Sequence, residues 1–294
     1  MSHVPSAPGS KDGEGDMFGS TILDLALGVL FSFLVISLVT SAMTETIASA
    51  FSWRASTLLQ GVKDLLNDPG FNGLALSIYN HAAVNARSSG GATSQANLTA
   101  IPSYIDAKQF ASALIDVADL APGLDVAAMQ AKIKTNVVDP QLKTLLNGIV
   151  ARTGANIDGL RDEIANWFNT GMERVAGAYK RKTQFWGFCI ALILAVALNI
   201  DTVRIARTLW QRPIMEFSQP AANETAQAAI MQAQKLGIPF GWDPEAITYV
   251  ETNSYNWGFI LAGWLISAIA TLFGAPFWFD ALQKFVQLRG AGSK

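Results

Sequence analysis

Three long apolar runs constrain this chain more than any other feature of its sequence. They extend from Leu25 to Thr44, from Thr183 to Ile200 and from Trp257 to Phe279, and none of them contains a charged residue. A helix needs about 20 predominantly apolar residues to cross the hydrocarbon layer of a membrane. Each run meets that length. We therefore predict an all-α, polytopic membrane protein with three transmembrane helices and a helical cytoplasmic domain.

The composition agrees with membrane segments and excludes several other classes of protein. Half of the residues are hydrophobic and 15% are charged, against about 25% charged residues in soluble proteins. A net charge of −2 gives no electrostatic footprint for a nucleic-acid partner. Cys189 is the single cysteine and there are two histidines, too few for an intrachain disulfide or a Cys/His zinc cluster.

No familiar catalytic signature is present. The sequence lacks the glycine-rich phosphate loop, the H-E-x-x-H zinc motif, the G-x-S-x-G elbow and a dinucleotide fingerprint after a strand. We therefore predict no catalytic, cofactor-binding or metal-binding residues and no cofactor.

Apolar periodicity and turn residues predict the order of segments along the chain. Asp106 is a candidate N-cap of one helix. Pro276 lacks an N–H and predicts either a kink or the first turn of a new helix. The predicted segments are a disordered N-terminal tail (1–19), transmembrane helix 1 (20–51), a helical cytoplasmic domain (52–156), a long helix continuing into transmembrane helix 2 (157–200), an extracytoplasmic loop with short helices (201–256), transmembrane helix 3 (257–279) and a C-terminal amphipathic helix and tail (280–294).

The distribution of basic residues predicts the orientation. Three spans put the termini on opposite sides, and cytoplasmic segments carry the excess of Lys and Arg. One side would carry Arg54, Lys63, Arg174, Lys180, Arg181, Lys182, Lys284, Arg289 and Lys294, and the other Lys11, Arg204, Arg207 and Arg212. We therefore expect the N-terminus outside and the C-terminus in the cytoplasm.

Small residues recur along one face of each predicted span. Helices in lipid associate through close packing of small residues and through polar contacts. The pattern predicts a compact bundle, a larger oligomer or docking against a partner. The predicted helix-packing residues are Ser37, Ser41 and Thr44 in the first span, Gly187, Ala191, Ala195 and Asn199 in the second, and Gly263, Ser267, Ala270 and Gly274 in the third.

Charged and aromatic residues mark the predicted ends of the spans. Lys180, Arg181 and Lys182 precede the second span and, with Trp278, are predicted to contact lipid headgroups. Ionisable residues beside spans are candidates for function, and their positions favour helix caps and ion pairs, with Asp201 and Arg204 or Asp280 and Lys284 at pairing distance. The candidate ionisable residues are Glu45, Asp201, Arg204, Asp280 and Lys284.

Five segments of the chain resemble a group of bacterial three-span inner-membrane proteins to which no function is attached. They are "ILDLALGVLFSFLVISLVTSAMTETIAS", "PSYIDAKQFASALID", "YKRKTQ", "ALNIDTVRIARTLW" and "GAPFWFDALQKFVQLRGAG". The resemblance implies a bacterial cytoplasmic membrane and a three-span layout. It carries no site residues over to this chain.

The preferred interpretation is a non-enzymatic membrane scaffold that self-assembles or serves as a structural subunit of a larger complex. Its partners would be membrane lipids and either further copies of the chain or other membrane-protein subunits. One alternative is an oligomeric channel for ions or small solutes, lined by the Ser and Thr residues of the first span. Another is a membrane enzyme with an interfacial site near Lys180–Lys182 and Asp280.

Overall fold

A computed structural model describes the backbone of residues 12–211, 225–252 and 256–291, with side chains from Ile22 onward except at 245, 252 and 288–291. Over these residues the chain is helical and contains no strand, so the all-α prediction is confirmed. The helices are α1 (Asp12–Ala50), α2 (Trp53–Leu65), α3 (Leu74–Asn80), α4 (Ala107–Val117), α5 (Val126–Asn136), α6 (Pro140–Thr153), α7 (Ile157–Ala197), α8 (Thr202–Gln211), α9 (Ala226–Lys235), α10 (Pro244–Thr252), α11 (Asn256–Ala270) and α12 (Ala275–Ala291).

Some predictions fall where the structure gives no description. The predicted tail is helical in α1 from Asp12 onward, and its residues 1–11 lie outside the described residues. Arg212 and Lys294, which entered the orientation argument, also lie outside them.

The chain divides into two compact units. The central unit is Ala48–Lys182, and the terminal unit contains the residues up to Ile47 and from Thr183 onward. Helix α7 contributes residues to both units.

The central unit has a hydrophobic core formed by its own helices. Tyr79, Phe110, Leu114, Leu146 and Phe168 are among its fully buried side chains. The rings of Phe110 and Phe168 stack with centroids 4.1 Å apart. This packing gives the unit an apolar interior of the kind that stabilises a globular helical domain.

Local signals in the sequence determine where several of these helices begin and end. Asp106 accepts hydrogen bonds from the backbone N–H groups of Lys108 and Gln109 and caps α4, which confirms the predicted N-cap. In α6, Asp139 is the N-cap, Pro140 is the first residue, and Gly154 closes the helix in the left-handed conformation.

Two helical segments are long and apolar enough to cross a membrane. They are Ile22–Ala50 of α1 and Asn256–Phe273, which consists of α11 and a following 3₁₀ turn. The predicted second span is interrupted: α7 ends at Ala197, and α8 follows at an angle of 49°. A third span exists only if α7 and α8 are counted together as one bent span.

A second interruption follows α11. Gly274 has a φ of 80°, a conformation that glycine adopts without a steric penalty, and α12 restarts at Ala275 with Pro276 in its first turn. The indole Nε1 of Trp278 donates to the carbonyl of Ala270 at 2.7 Å. Residues eight apart in a continuous helix are separated by about 12 Å along the axis. The bond therefore requires a sharp turn at Gly274.

Candidate functional site: the break between α7 and α8

The terminal unit buries most of the small and polar residues that the sequence singled out. Ser37, Thr44, Ala191, Ala195, Asn199, Gly263, Ser267 and Ala270 are buried, Gly187 and Gly274 are half-buried, and Ser41 is exposed. An ideal Cβ at Gly187 would lie 3.7 Å from Oγ1 of Thr44, so α1 and α7 approach each other closely there. The buried helix-packing residues are therefore covered by other residues of the same chain.

The clearest concentration of polar groups lies at residues 198–201, which we call the break. Asn199 adopts a positive φ of 43°, a strained conformation that asparagine tolerates better than most residues. Its side-chain amide donates to the carbonyl of Gly241 at 3.0 Å, and its Oδ1 accepts from Nε1 of Trp264 at 3.1 Å. The Asn199 side chain thus holds the break between α11 and the segment that precedes α10.

Asp201 begins α8. Its Oδ1 accepts from the backbone N–H of Val203 at 2.8 Å and of Arg204 at 3.2 Å, which satisfies donors that the first turn of a helix leaves free. The side chain is 2% exposed. It packs directly onto the backbone of Gly263, where any Cβ would overlap the carboxylate.

Ser267 connects α11 to both sides of the break. Its hydroxyl donates to the carbonyl of Ile200 at 2.7 Å and lies 2.7 Å from Oγ1 of Thr202. The carbonyl of Leu198 accepts from the backbone N–H of Gly241 at 2.7 Å, and that of Val196 from Nε1 of Trp242 at 3.0 Å. Carbonyl groups that the end of α7 leaves free are therefore paired.

Arg204 has a partner that the sequence did not predict. Spacing predicts a pair with Asp201, but the guanidinium binds the carboxylate of Asp243 and the carbonyl of Gly241, the latter at 3.3 Å. The Asp201 carboxylate instead accepts a hydrogen bond from the backbone N–H of Arg204. Further along α8, the Arg207 guanidinium lies 5.0 Å from the ring of Phe259.

No family model, curated protein or solved structure matches this chain. We call Asn199, Asp201, Thr202, Arg204, Trp264 and Ser267 the break cluster. Their hydrogen bonds fix the backbone, and the cluster contains no nucleophile paired with a general base. In the part of the chain that the structure describes, no three His, Cys, Asp or Glu side chains are grouped to hold a metal ion.

The sequence pattern does not identify Thr202 and Trp264 of the break cluster, nor the pairing of Arg204 with Asp243, which lies outside the cluster. A signal for the partner segment exists in the Gly-Trp-Asp-Pro sequence at 241–244, which is typical of a turn that opens a helix. Asp243 does cap α10, by accepting from the backbone N–H of Ala246 at 2.7 Å.

The remaining predicted site residues lie away from the break. Glu45, Asp280 and Lys284 are exposed, as are Lys180, Arg181 and Lys182. The Lys182 ammonium lies 5.6 Å from the ring centre of Trp53, a cation–π contact within the central unit. Trp278 packs against Phe33 with ring centroids 4.7 Å apart, beside the middle of the first apolar run.

Three hydroxyl groups on one face of α1 are buried without a hydrogen-bond partner among the described residues. They belong to Ser37, Thr40 and Thr44, and Thr183 of α7 is in the same state. The face points into the terminal unit, because these three residues of α1 are 7% exposed or less.

Surface grooves of about 740 and 580 Å³ on the central unit share Asn67, Asp139 and Leu142 among their described lining residues. The Asn67 amide donates to Asp139 Oδ2 at 2.7 Å, and the N–H of Leu142 donates to Oδ1, also at 2.7 Å. These hydrogen bonds lower the pKa of Asp139 below its usual value. The bond from the Asn67 amide has the larger effect, and the bond from the Leu142 N–H has the next largest. No histidine or cysteine lines either groove.

Proposed function

We propose that this chain is a non-enzymatic structural subunit of a membrane assembly. Its terminal unit anchors it in the membrane, and its central unit is a helical domain on one side. The resemblance stated above favours the bacterial cytoplasmic membrane. The basic residues Lys180–Lys182 favour a central unit on the cytoplasmic side, with three spans and an outer N-terminus.

The outward face of α11 supports this proposal best. Leu261, Leu265 and Ile269 follow one another along that face, Leu272 of the following 3₁₀ turn continues it, and all four are between 43 and 50% exposed. The polar Ser267 and the small Gly263 and Ala270 face inward. A face of this kind is suited to lipid tails or to the apolar face of another membrane subunit.

The placement of the Ser and Thr residues of α1 weighs against a channel lined by that helix. A pore at the axis of an oligomer needs a polar face directed away from each chain's own bundle. Ser37, Thr40 and Thr44 are instead buried inside the terminal unit. The same hydroxyls give the channel its strongest argument from sequence, so ion flux is the second measurement to make.

The test of the assembly proposal is the mass and composition of the native complex extracted in mild detergent. We expect a particle larger than one chain, containing further copies or other membrane proteins. A monomer at every protein concentration, with lipid retained, would contradict the proposal. Ion flux through the purified protein in liposomes would favour the channel instead.

A further inference from the structure

We propose that residues 183–211 cross the membrane as one discontinuous span, and that the Asp201 carboxylate at its break lies within the apolar layer. The sequence places residue 201 and all of α8 in an extracytoplasmic loop. The packing of the break against α11 gives them a different depth. The inference does not depend on the proposed function, because it concerns the path of the chain.

The depth of Asp201 follows from its contact with Gly263. That glycine lies about 10 Å from the start of α11 at Asn256 and about 15 Å from Phe273, at 1.5 Å per residue. The whole segment from Asn256 to Phe273 is about 27 Å long, close to the roughly 30 Å of the hydrocarbon layer. Where α11 crosses that layer, the carboxylate lies level with its middle third.

Helix α8 then runs along the first half of α11 rather than away from it. A Cβ placed on Gly263 would lie 3.2 Å from the backbone nitrogen of Val203. One turn further on, Arg207 lies over the ring of Phe259 and its guanidinium also donates to the hydroxyl of Tyr249. The two contacts progress in opposite directions along the two helices, so α8 and α11 are antiparallel neighbours.

The lengths of the helices support a joint span. From Thr183 to Ala197, the uncharged part of α7 covers about 22 Å, which is too short for the layer. Adding α8 supplies the missing length. Irregular backbone is tolerated at membrane depth only where it is buried in protein. Asn199, Ile200 and Asp201 meet that condition, because they are 3% exposed or less. Leu198 is 38% exposed, but its N–H and carbonyl groups are both hydrogen-bonded within the protein.

The charged and polar groups near the Asp201 carboxylate come from α8 and from the segment that precedes α10. Two backbone N–H groups of α8 donate to it, and α8 also carries Arg204 and Arg207. Helix α11 has no charged residue, and Asp243 of the preceding segment is already bound to Arg204. An acid in a span is expected to face the interior of the protein and to have partners there. Asp201 is buried and accepts hydrogen bonds from the two backbone N–H groups. Its role there is to position α8 against α11.

Nitroxide scanning in lipid bilayers tests the inference on the full chain with Cys189→Ser as background. Single labels are attached to Ala206→Cys on α8, to Ile193→Cys on α7 and to Val138→Cys in the central unit. In the native chain Ile193 is 66% exposed and Val138 is 89% exposed. The ratio of collision rates with oxygen and with a water-soluble nickel chelate reports depth. Ile193→Cys serves as the lipid reference and Val138→Cys as the water reference.

We expect the ratio at Ala206→Cys to lie closer to that of Ile193→Cys. A ratio closer to that of Val138→Cys would overturn the inference. A second label through Val203→Cys, next to the break, should give a ratio at least as far from the water reference as Ala206→Cys. A ratio at Val203→Cys closer to the water reference than that at Ala206→Cys would also overturn it.

Discussion

The carboxylate of Asp201 fills the space in which a side chain on Gly263 would begin. The two residues are far apart in the sequence, and their contact joins α8 to α11 without room for one additional carbon atom. Small residues at helix contacts allow backbones to approach closely. Here the glycine accommodates a carboxylate that caps the neighbouring helix.

Gly263→Ala should therefore destabilise the terminal unit. Glycine to alanine inside a helix normally stabilises by about 1 kcal/mol, but an overpacked site costs about 1–3 kcal/mol. We expect a lower midpoint of thermal unfolding in detergent. Gly258→Ala in the same helix, where a Cβ would meet nothing within 4 Å, is the matched control. Equal midpoints for the two variants would contradict the tight contact.

Asp201→Ala and Asp201→Asn should behave differently. Asparagine retains an oxygen that accepts from the N–H groups of the first turn, whereas replacing an N-cap with alanine costs about 0.5–2 kcal/mol. We expect Asp201→Asn to unfold close to the native temperature and Asp201→Ala to unfold at a lower one. If both lose the same stability, the negative charge matters more than the cap.

The helical class of this chain is predictable from its sequence, but the break is not. Apolar runs and caps such as Asp106 are local signals, and they determine the helices over most of the chain. Nothing between Thr183 and Ile200 signals an interruption, since the run contains neither proline nor charge. The break depends on Asn199 meeting Gly241 and Trp264, which are 42 and 65 residues away.

The irregular segment after α3 shows the same limit. Its Ser and Gly residues between 86 and 103 are typical of a flexible loop. In the structure, Asn80 exchanges two hydrogen bonds with the backbone of Ala92, at 2.7 and 3.0 Å. The Asn85 side chain donates to the carbonyl of Thr99 at 3.2 Å. Composition describes the segment itself, whereas these bonds come from asparagines outside its repetitive part.

Gly61→Ala should destabilise the central unit through the contact of α2 with α7. A Cβ at position 61 would lie 2.8 Å from Cγ1 of Val175 and closer still to its Cγ2. A β-branched side chain has one strongly preferred rotamer in a helix, so Val175 cannot turn away freely. We expect a loss of about 1–3 kcal/mol, measured by chemical unfolding.

Gly177→Ala on α7 is the control for that contact. Its Cβ would lie 3.6 Å from the end of the flexible Arg181 side chain, and alanine favours the helix by about 1 kcal/mol. Unfolding of this variant should require the same or a higher denaturant concentration. A comparable loss in both variants would show that α7 itself, rather than the Val175 contact, is sensitive.

The hydrogen bond from Asn67 to Asp139 should change how the free energy of unfolding falls at acidic pH (the acid limb). Asp139 has a lowered pKa in the folded state, so its contribution is present above the ordinary aspartate pKa of about 3.9 and is lost as pH falls through the lowered value. Asn67→Gly removes the amide and retains a residue suited to the positive φ of 49°. We expect this variant to be less stable at neutral pH and to lose less stability than the native chain as the pH falls below about 3.9, because the part of the pKa shift that the amide causes is absent. Superimposable acid limbs would show that the amide has no influence on Asp139.

Tyr79→Phe should leave the central unit as stable or make it more stable. The Tyr79 hydroxyl is buried with no hydrogen-bond partner among the described residues, and a buried unpaired polar group costs about 1–3 kcal/mol. Burial also raises the pKa of Tyr79. Above the ordinary tyrosine pKa of about 10, the unfolded chain loses this proton while the folded chain keeps it, so stability falls as pH rises. The variant should lose less stability than the native chain between pH 9 and about 11. A steeper alkaline loss in the variant, or a destabilisation at neutral pH, would show that the hydroxyl has a partner in solution.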